Sequence, residues 1–133
     1  MKLVRYEIEI DAPADEVFRL ITEAEGLVQW MAVGAVADAV PGGELRWTHQ
    51  NGATMIGRFV ELRQSQRIVF TYGWADGRLG LSPGSSQVEI DLEEENGRTR
   101  LKLVHRGVPP ESVADHQHGW EFFLGRLREV VAD

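Results

Sequence analysis

The dipeptide Asn96-Gly97 constrains the fold of this chain more than any other feature, because it predicts a β-hairpin with one register. Both residues of a two-residue hairpin turn take positive φ, which asparagine and glycine accept more readily than other residues. The register pairs apolar residues, and one histidine, across one face: Leu92 with Leu101, Ile90 with Leu103, and Val88 with His105. It pairs opposite charges across the other face: Glu93 with Arg100, and Asp91 with Lys102. We therefore expect two antiparallel strands with one buried and one solvated face.

The chain before this hairpin indicates a strand followed by two short helices. Residues 3–10 alternate between apolar and mostly charged side chains, which is typical of a strand with one buried face. The segment Asp11-Ala12-Pro13 then predicts a helix start, and the helix extends to about Thr22. We expect Gly26 to break it before a short second turn through Leu27 and Trp30. The apolar stripe of the first helix consists of Val17, Leu20, Ile21 and Ala24, with Phe18 at its margin.

From Pro41-Gly42-Gly43 onward the sequence is typical of an antiparallel meander, because four or five extended runs are separated by turn residues. The turn at Gln50-Asn51-Gly52 is compatible with two registers. A two-residue loop places Trp47 beside Ile56 and mixes the two faces of the hairpin. A three-residue loop with its glycine in the left-handed conformation places Trp47 beside Met55, and we favour that register.

Two further segments complete the predicted elements. Residues 67–74 alternate as a strand, and a glycine-rich loop follows at 76–84. Pro109-Pro110 ends the last strand, after which a long amphipathic helix is expected. Its apolar stripe consists of His116, Trp120, Phe123, Leu124, Leu127, Val130 and Val131. Gly119 and Gly125 each cost about 1 kcal/mol relative to alanine inside a helix, so we expect close packing or a bend at both positions.

Composition restricts the classes of protein that fit this sequence. The 133 residues match one domain (1–133), and 43% are hydrophobic, which is enough for one core. The 14 basic and 21 acidic residues give a net charge of -7, which argues against nucleic acid as a partner. The lack of cysteine excludes disulfides and thiolate chemistry and favours a cytoplasmic location. We recognise no signal peptide, and the longest apolar stretch, Leu27–Ala37, is shorter than the ~20 residues of a membrane-spanning helix.

The order of these elements and several local motifs resemble the START/Bet v 1-like (SRPBCC) superfamily, in particular the branch similar to the C-terminal domain of the activator of Hsp90 ATPase. The motifs are Ile10-Asp11-Ala12-Pro13, Val17-Phe18, Leu20-Ile21-Thr22, Trp30, Pro41-Gly42-Gly43, Gly57 with Glu61, residues 67–72, residues 99–105, and Gly119-Trp120 with Leu124 and Leu127. The resemblance covers nearly the whole chain. It implies an α+β helix-grip fold, in which a curved antiparallel sheet wraps a long C-terminal helix. It also implies a cavity, because members of this superfamily hold lipids, polyketides, antibiotics or other metabolites there.

Binding of a small hydrophobic or aromatic molecule is the leading functional hypothesis. All four tryptophans are expected on or beside core faces, and aromatic side chains with polar tips combine contact area with orientation in binding pockets. The alternative for each tryptophan is that it simply fills the core. The candidate ligand-binding residues are Trp30, Trp47, Met55, Phe59, Phe70, Tyr72, Trp74, His105, Trp120 and Phe123.

Other functions have weaker support in the sequence. A cyclase-like or hydrolase-like enzyme could use His105 as a general base, with Glu61 and His49 as lesser candidates. His116 and His118 diverge by about 200° on a helix, so they cannot easily bind the same metal ion, and no metal site is predicted. No other cofactor is predicted either. The acidic run Glu93-Glu94-Glu95 is expected to be a solvated surface. A co-chaperone-like interaction module is a further alternative, and we expect a monomer or a homodimer that does not bind membranes.

Overall fold

The computed structural model describes residues 3–132 and forms one seven-stranded antiparallel sheet in the order β1-β7-β6-β5-β4-β3-β2. The strands are β1 (Val4–Ile10), β2 (Gly34–Ala37), β3 (Glu44–Thr48), β4 (Thr54–Arg63), β5 (Arg67–Tyr72), β6 (Ser86–Glu95) and β7 (Arg98–Arg106). The α-helices are α1 (Ala14–Thr22), α2 (Ala24–Trp30) and α3 (Val113–Ala132). Short 3-10 turns lie at Arg78–Gly80 and Pro110–Ser112. The predicted α+β helix-grip architecture is confirmed.

Both predicted hairpin registers are confirmed. Asn96 and Gly97 have φ values of 55° and 77°, and β6 pairs with β7 in the predicted register. In the β3–β4 hairpin Trp47 pairs with Met55, and the amide of His49 donates to the carbonyl of Ala53 across a three-residue loop. The turn residues and the apolar alternation therefore fixed these registers jointly.

The core lies between one face of the sheet and the helices. On β6 the buried residues alternate with partly buried ones, and on β7 mostly with exposed ones, so both strands bury the same face of the sheet. The buried stripe of α3 consists of His116, Trp120, Leu124 and Leu127, and α3 packs against β1 and α2. Residue pairing shifts between Phe59 and Glu61 of β4, and a bulge of this kind bends a strand and increases its twist. The sheet curves around α3 as a result.

The start of α1 differs from the sequence prediction. No side chain at the N-terminal boundary caps this helix; instead the amide of Ala14 donates to Oε1 of Glu94 over 2.7 Å. Glu94 therefore stabilises the helix start from the β6–β7 hairpin, although Glu93, Glu94 and Glu95 are all exposed, as predicted. The break between α1 and α2 falls at Glu23, which has extended φ and ψ, and not at Gly26. Gly26 lies inside α2, where a Cβ atom would approach the Cα of Leu20 to 2.6 Å.

Three other features of the chain were not predicted or were predicted differently. Strand β2 was not predicted, because its four small or short residues have no clear alternation. Strand β5 ends at Tyr72, and Trp74 forms only an isolated bridge with Met55. Neither Gly119 nor Gly125 is closely packed, since a Cβ atom at either position would meet nothing within 4 Å. Among residues 3–132 there is no helix long and apolar enough to cross a membrane.

The loop after β5 folds back onto the strand end that carries Trp74. The amide of Trp74 donates to the carbonyl of Leu81 over 2.7 Å, and the Leu81 side chain is fully buried. This return needs a glycine at position 73, because a Cβ atom there would lie 2.0 Å from the carbonyl oxygen of Ser82. The loop thereby fixes the backbone that carries Trp74 beside the helix α3.

Candidate ligand-binding site

A small, partly open cavity of about 50 Å³ lies between the sheet and α3. Aromatic rings contributed by β3, β5, the segment after β5 and α3 form most of its wall. The lining residues are Met31, Trp47, His49, Tyr72, Trp74, Asp115, His116, Gly119, Trp120 and Phe123. A volume of this size exceeds what one water molecule needs, but it is well below the roughly 150 Å³ of an engineered cavity that holds benzene.

A groove of about 460 Å³ adjoins the small cavity. The two spaces share Met31, His49, Trp74 and Phe123 as lining residues. The remaining wall of the groove consists of Ala32, Val33, Gln50, Asn51, Ala53, Arg78, Phe122 and Arg126. Val33 and Phe122 are 66% and 60% exposed, which is high for such apolar side chains. The groove therefore combines exposed apolar side chains with polar and basic groups.

Three indole N–H groups around the cavity are paired with imidazole rings. Nε1 of Trp120 donates to Nδ1 of His105 over 3.2 Å, and Nε1 of Trp74 donates to Nε2 of His116 over 3.3 Å. Nε1 of Trp47 donates to Nε2 of His49 over 3.1 Å. Buried polar groups need such partners, because an unpaired donor in an apolar interior costs about 1–3 kcal/mol.

The hydrogen bonds of His105 assign its tautomer. Since Nδ1 accepts from Trp120, the proton of the neutral ring lies on Nε2, which is 2.9 Å from Oγ of Ser86. The Ser86 hydroxyl accepts this proton and donates its own to the carbonyl of Tyr72 over 2.7 Å. Burial, with a smaller effect from the nearby His116, lowers the pKa of His105 to about 3. The ring is therefore neutral at pH 7, and both of its nitrogens are occupied.

His116 and His49 also pair with indoles. Nδ1 of His116 lies 2.9 Å from the carbonyl oxygen of Ser112, to which it donates, while Nε2 accepts from Trp74. Nε2 of His49 accepts from Trp47. Burial lowers the pKa of His49 below its ordinary value. The imidazoles thus hold the tryptophan rings in place, and both ring nitrogens of His116 are occupied.

Tyr72 occupies the centre of the aromatic cluster. Its ring centre lies 4.5 Å from that of His105 and 5.6 Å from that of Trp74. The side chain is 5% exposed, and burial raises the pKa of its hydroxyl well above the ordinary value. Among residues 3–132 the hydroxyl has no hydrogen-bond partner. Its oxygen nevertheless keeps some accessible surface, because it is not among the unpartnered atoms that are completely buried. Its oxygen therefore borders the cavity.

Gly119 contributes space to the site. It lies on the face of α3 that lines the cavity, between His116 and Phe123, and a Cβ atom at this position would meet nothing within 4 Å. A side chain here would occupy open space at the wall of the cavity. Of the two reasons expected for this glycine, close packing or a bend, close packing was wrong.

The structure brings together five of the ten sequence-derived candidates. Those that line the cavity are Trp47, Tyr72, Trp74, Trp120 and Phe123. Trp30, Met55, Phe59, Phe70 and His105 are buried but do not line it. Nε1 of Trp30 donates to the carbonyl of Leu20, so this ring joins the first two helices. Phe70 contacts the edge of Trp47, with ring centres 6.0 Å apart, and thus supports the cavity wall from behind.

Sequence reasoning missed several cavity residues or gave them another role. Met31 and Asp115 were not considered as ligand contacts, and His49 was considered only as a catalytic candidate. His116 lies on the same helix face as Trp120 and Phe123, so the stripe of α3 contained the signal for it. His118 is exposed whereas His116 is buried, and no group of three or more potential metal ligands occurs among residues 3–132.

Comparison with known proteins gives matches to the whole fold. Among curated proteins, the uncharacterized protein C1711.08 of Schizosaccharomyces pombe is 24% identical over 102 residues, which are 74% of this chain and 28% of that protein. The crystal structure of DynU16, a protein in the dynemicin biosynthetic locus, has a TM-score of 0.84 and 25% identity over 99% of this chain and 48% of that one. The chain thus spans less than half the length of both proteins.

The Aha1 dimer from Colwellia psychrerythraea, known from a solution structure, has a TM-score of 0.82 and 18% identity over 97% of this chain and 95% of that one. The model of the family described as Activator of Hsp90 ATPase homolog 1-like protein (AHSA1) matches residues 11–132. These residues include every cavity-lining position. The chain therefore belongs to the AHSA1 family, within the superfamily that its sequence resembles.

Proposed function

We propose that this protein binds a small hydrophobic or aromatic molecule between its sheet and helix α3. The observation that supports the proposal most directly is a small, aromatic-lined cavity next to a larger groove with which it shares four residues. Binding sites for small molecules are concave, mostly apolar and largely preformed. The combined space has all three properties.

The two volumes determine how a ligand would fit. Sites for drug-sized ligands commonly have about 300–1,000 Å³, so the small cavity of about 50 Å³ cannot hold such a molecule. The groove of about 460 Å³ supplies the remaining space. We therefore expect one end of the ligand, a group of a few non-hydrogen atoms, to enter the cavity, while the larger part lies in the groove against Phe122 and Phe123.

The expected affinity decides which assay is suitable. A ligand of about ten non-hydrogen atoms that gains about 0.5 kcal/mol from each would have a binding free energy of about -5 kcal/mol. This corresponds to a dissociation constant of about 0.2 mM. Fluorescence is sensitive at such concentrations, and three of the four tryptophans line the cavity. A titration against aromatic, polyketide-like and acyl compounds should therefore change the emission for the compounds that bind.

A leucine at position 119 provides the decisive control. We expect Gly119→Leu to fill the cavity, because the new side chain extends into empty space that the ligand would otherwise occupy. Gly125→Leu is the matched variant: it lies in the same helix, meets nothing within 4 Å, and does not line the cavity. Both variants replace a helical glycine, so their effects on helix stability should be similar.

The proposal requires that Gly119→Leu reduce binding at least tenfold while Gly125→Leu keeps it. Equal binding by both variants would mean that the compounds bind elsewhere. A wild-type protein that binds no member of the panel at millimolar concentration would contradict the proposed function itself.

An enzymatic use of the same cavity has less support. A general base must accept a proton near neutral pH, whereas burial lowers the pKa of His105 to about 3 and both of its nitrogens are already hydrogen-bonded.

An interaction role rests on the family description and on the dimer found for the Colwellia relative. Light scattering checks the latter directly: a homodimer would have twice the chain mass of 14.9 kDa.

A further inference from the structure

We infer that the buried end of the ligand is an uncharged group with an acceptor oxygen, such as a ketone, and that the Tyr72 hydroxyl donates a hydrogen bond to it. The inference rests on the proposed function and adds the chemical class of the group that enters the cavity. It assigns the polar recognition of the site to one atom, the Oη of Tyr72.

The Oη of Tyr72 differs from the other polar groups around the cavity in its lack of a hydrogen-bond partner within the described part of the chain. The N–H groups of Trp47, Trp74 and Trp120 all donate to imidazole nitrogens, and the imidazoles of His105 and His116 have partners on their other side. A ligand would have to break one of these pairs in order to use its atoms. The hydroxyl of Tyr72 has no partner among residues 3–132 and borders the cavity. It is therefore the donor that a ligand can engage at no cost to the protein.

The charge of the surroundings disfavours an anion, and the cost of desolvation disfavours an ion of either sign. The small cavity has no lysine or arginine in its wall, and His105 behind it is neutral at pH 7. The carboxyl group in the wall, that of Asp115, disfavours a second anion nearby. Moving an ion into such an apolar space costs far more than moving a neutral carbonyl. Arg78, in the adjoining groove, is paired with Asp76 over 2.7 Å.

A hydrocarbon group would fit the same space less well. It would cover the hydroxyl without offering an acceptor, and a buried hydroxyl left unpaired opposes binding. An acceptor oxygen of equal size pairs with the hydroxyl and removes this penalty. The site should therefore distinguish two ligands that have the same shape and differ only in a carbonyl oxygen.

Four probes with one phenyl ring test this distinction. Acetophenone carries the acceptor oxygen, and α-methylstyrene has the same shape with a methylene group in its place. Benzoate and phenyltrimethylammonium carry a negative and a positive charge. Dissociation constants would be measured by NMR from shifts of the tryptophan indole resonances. We expect wild-type protein to bind acetophenone about fivefold more tightly than α-methylstyrene, which corresponds to one hydrogen bond, and both ions more weakly.

The Tyr72→Phe variant removes only the hydroxyl. We expect its affinity for acetophenone to fall to that for α-methylstyrene, while the affinity for α-methylstyrene stays the same or increases. Its thermal midpoint should not fall, because the hydroxyl bonds no described residue. Tyr6→Phe is the matched control, since Tyr6 is the other tyrosine of the chain and does not line the cavity. It should keep the wild-type preference.

Each outcome decides between the two proposals. Equal binding of acetophenone and α-methylstyrene, tighter binding of either ion, or a preference that survives Tyr72→Phe would overturn the assignment of Tyr72 and leave the proposed function intact. If no probe binds to wild-type protein while a compound of the larger panel does, the assignment of Tyr72 fails alone; if no compound of either set binds, both proposals fail. A preference that is present in the wild type and in Tyr6→Phe, but lost in Tyr72→Phe, supports the assignment.

Discussion

Acid should destabilise this protein through His105, because the folded state holds its imidazole buried and neutral. Burial lowers the pKa of this ring from 6.5 to about 3. Above pH 6.5 neither state binds the proton to a large extent, whereas between pH 6.5 and 3 only the unfolded state binds it. The free energy of unfolding must therefore decrease as the pH falls through this window, and the loss is complete below about pH 3.

The size of the effect follows from the two pKa values. Each pH unit within the window removes about 1.4 kcal/mol, so His105 alone accounts for a loss of about 2 kcal/mol between pH 7.5 and pH 5. His49 adds a contribution of the same sign, because burial lowers its pKa too. Most carboxyl groups remain ionised down to pH 5, so histidines dominate the change over this range.

His105→Gln separates this contribution from the others. A glutamine offers one acceptor and one donor, so it can keep hydrogen bonds to Trp120 and Ser86 while it cannot bind the proton. Urea unfolding, followed by tryptophan fluorescence at several pH values from 7.5 to 5, gives the free energy of unfolding. The variant should lose about 2 kcal/mol less than the wild type over this range. His118→Gln, at an exposed position, should behave as wild type. Equal losses in wild type and His105→Gln would refute the reasoning.

Two further predictions concern the fold. Glu94→Ala should destabilise the protein by about 1 kcal/mol, because it removes the acceptor of the first amide of α1, while Glu95→Ala should have little effect; urea unfolding measures both. Gly73→Ala should cost about 1–3 kcal/mol, because its Cβ atom would collide with the carbonyl oxygen of Ser82. Gly34→Ala, where a Cβ atom meets nothing within 4 Å, should be close to neutral, and the two thermal midpoints test this difference.

The fold was predictable where local chemistry and hydrophobic alternation agreed. Asn96-Gly97 specified a turn type, and the strands around it had only one register that kept their apolar residues on one face. The same agreement was missing for β2, whose short sequence Gly34–Ala37 pairs with β3 only because the rest of the sheet provides an edge. The cap of α1 could not be predicted either, because Glu94 and Ala14 are 80 residues apart in the sequence.

The candidate site was predictable only in part, because an inward-facing side chain does not always reach the cavity. Alternation placed Phe70 and Tyr72 on the same face of β5, yet only Tyr72 lines the cavity, while Phe70 lies behind Trp47. The distinction depends on where α3 lies over the sheet, which periodicity does not specify. Gly119 illustrates the same limit: a helical glycine indicates close packing as readily as open space, and only the distance to neighbouring atoms decides between them.

The pairing of indoles with imidazoles explains how a wall rich in nitrogen atoms remains apolar towards a ligand. Each pair satisfies a donor and an acceptor in the wall or directly behind it, so these polar atoms are paired with one another and apolar surface is left for the cavity. A histidine on an inward face therefore need not be a base. The role of His105 depends on its partner Trp120, which belongs to another element of the fold. The Tyr72 hydroxyl, in contrast, has no protein partner among residues 3–132. Replacement of any one imidazole by an apolar residue should consequently free an indole N–H and give the cavity a second polar group.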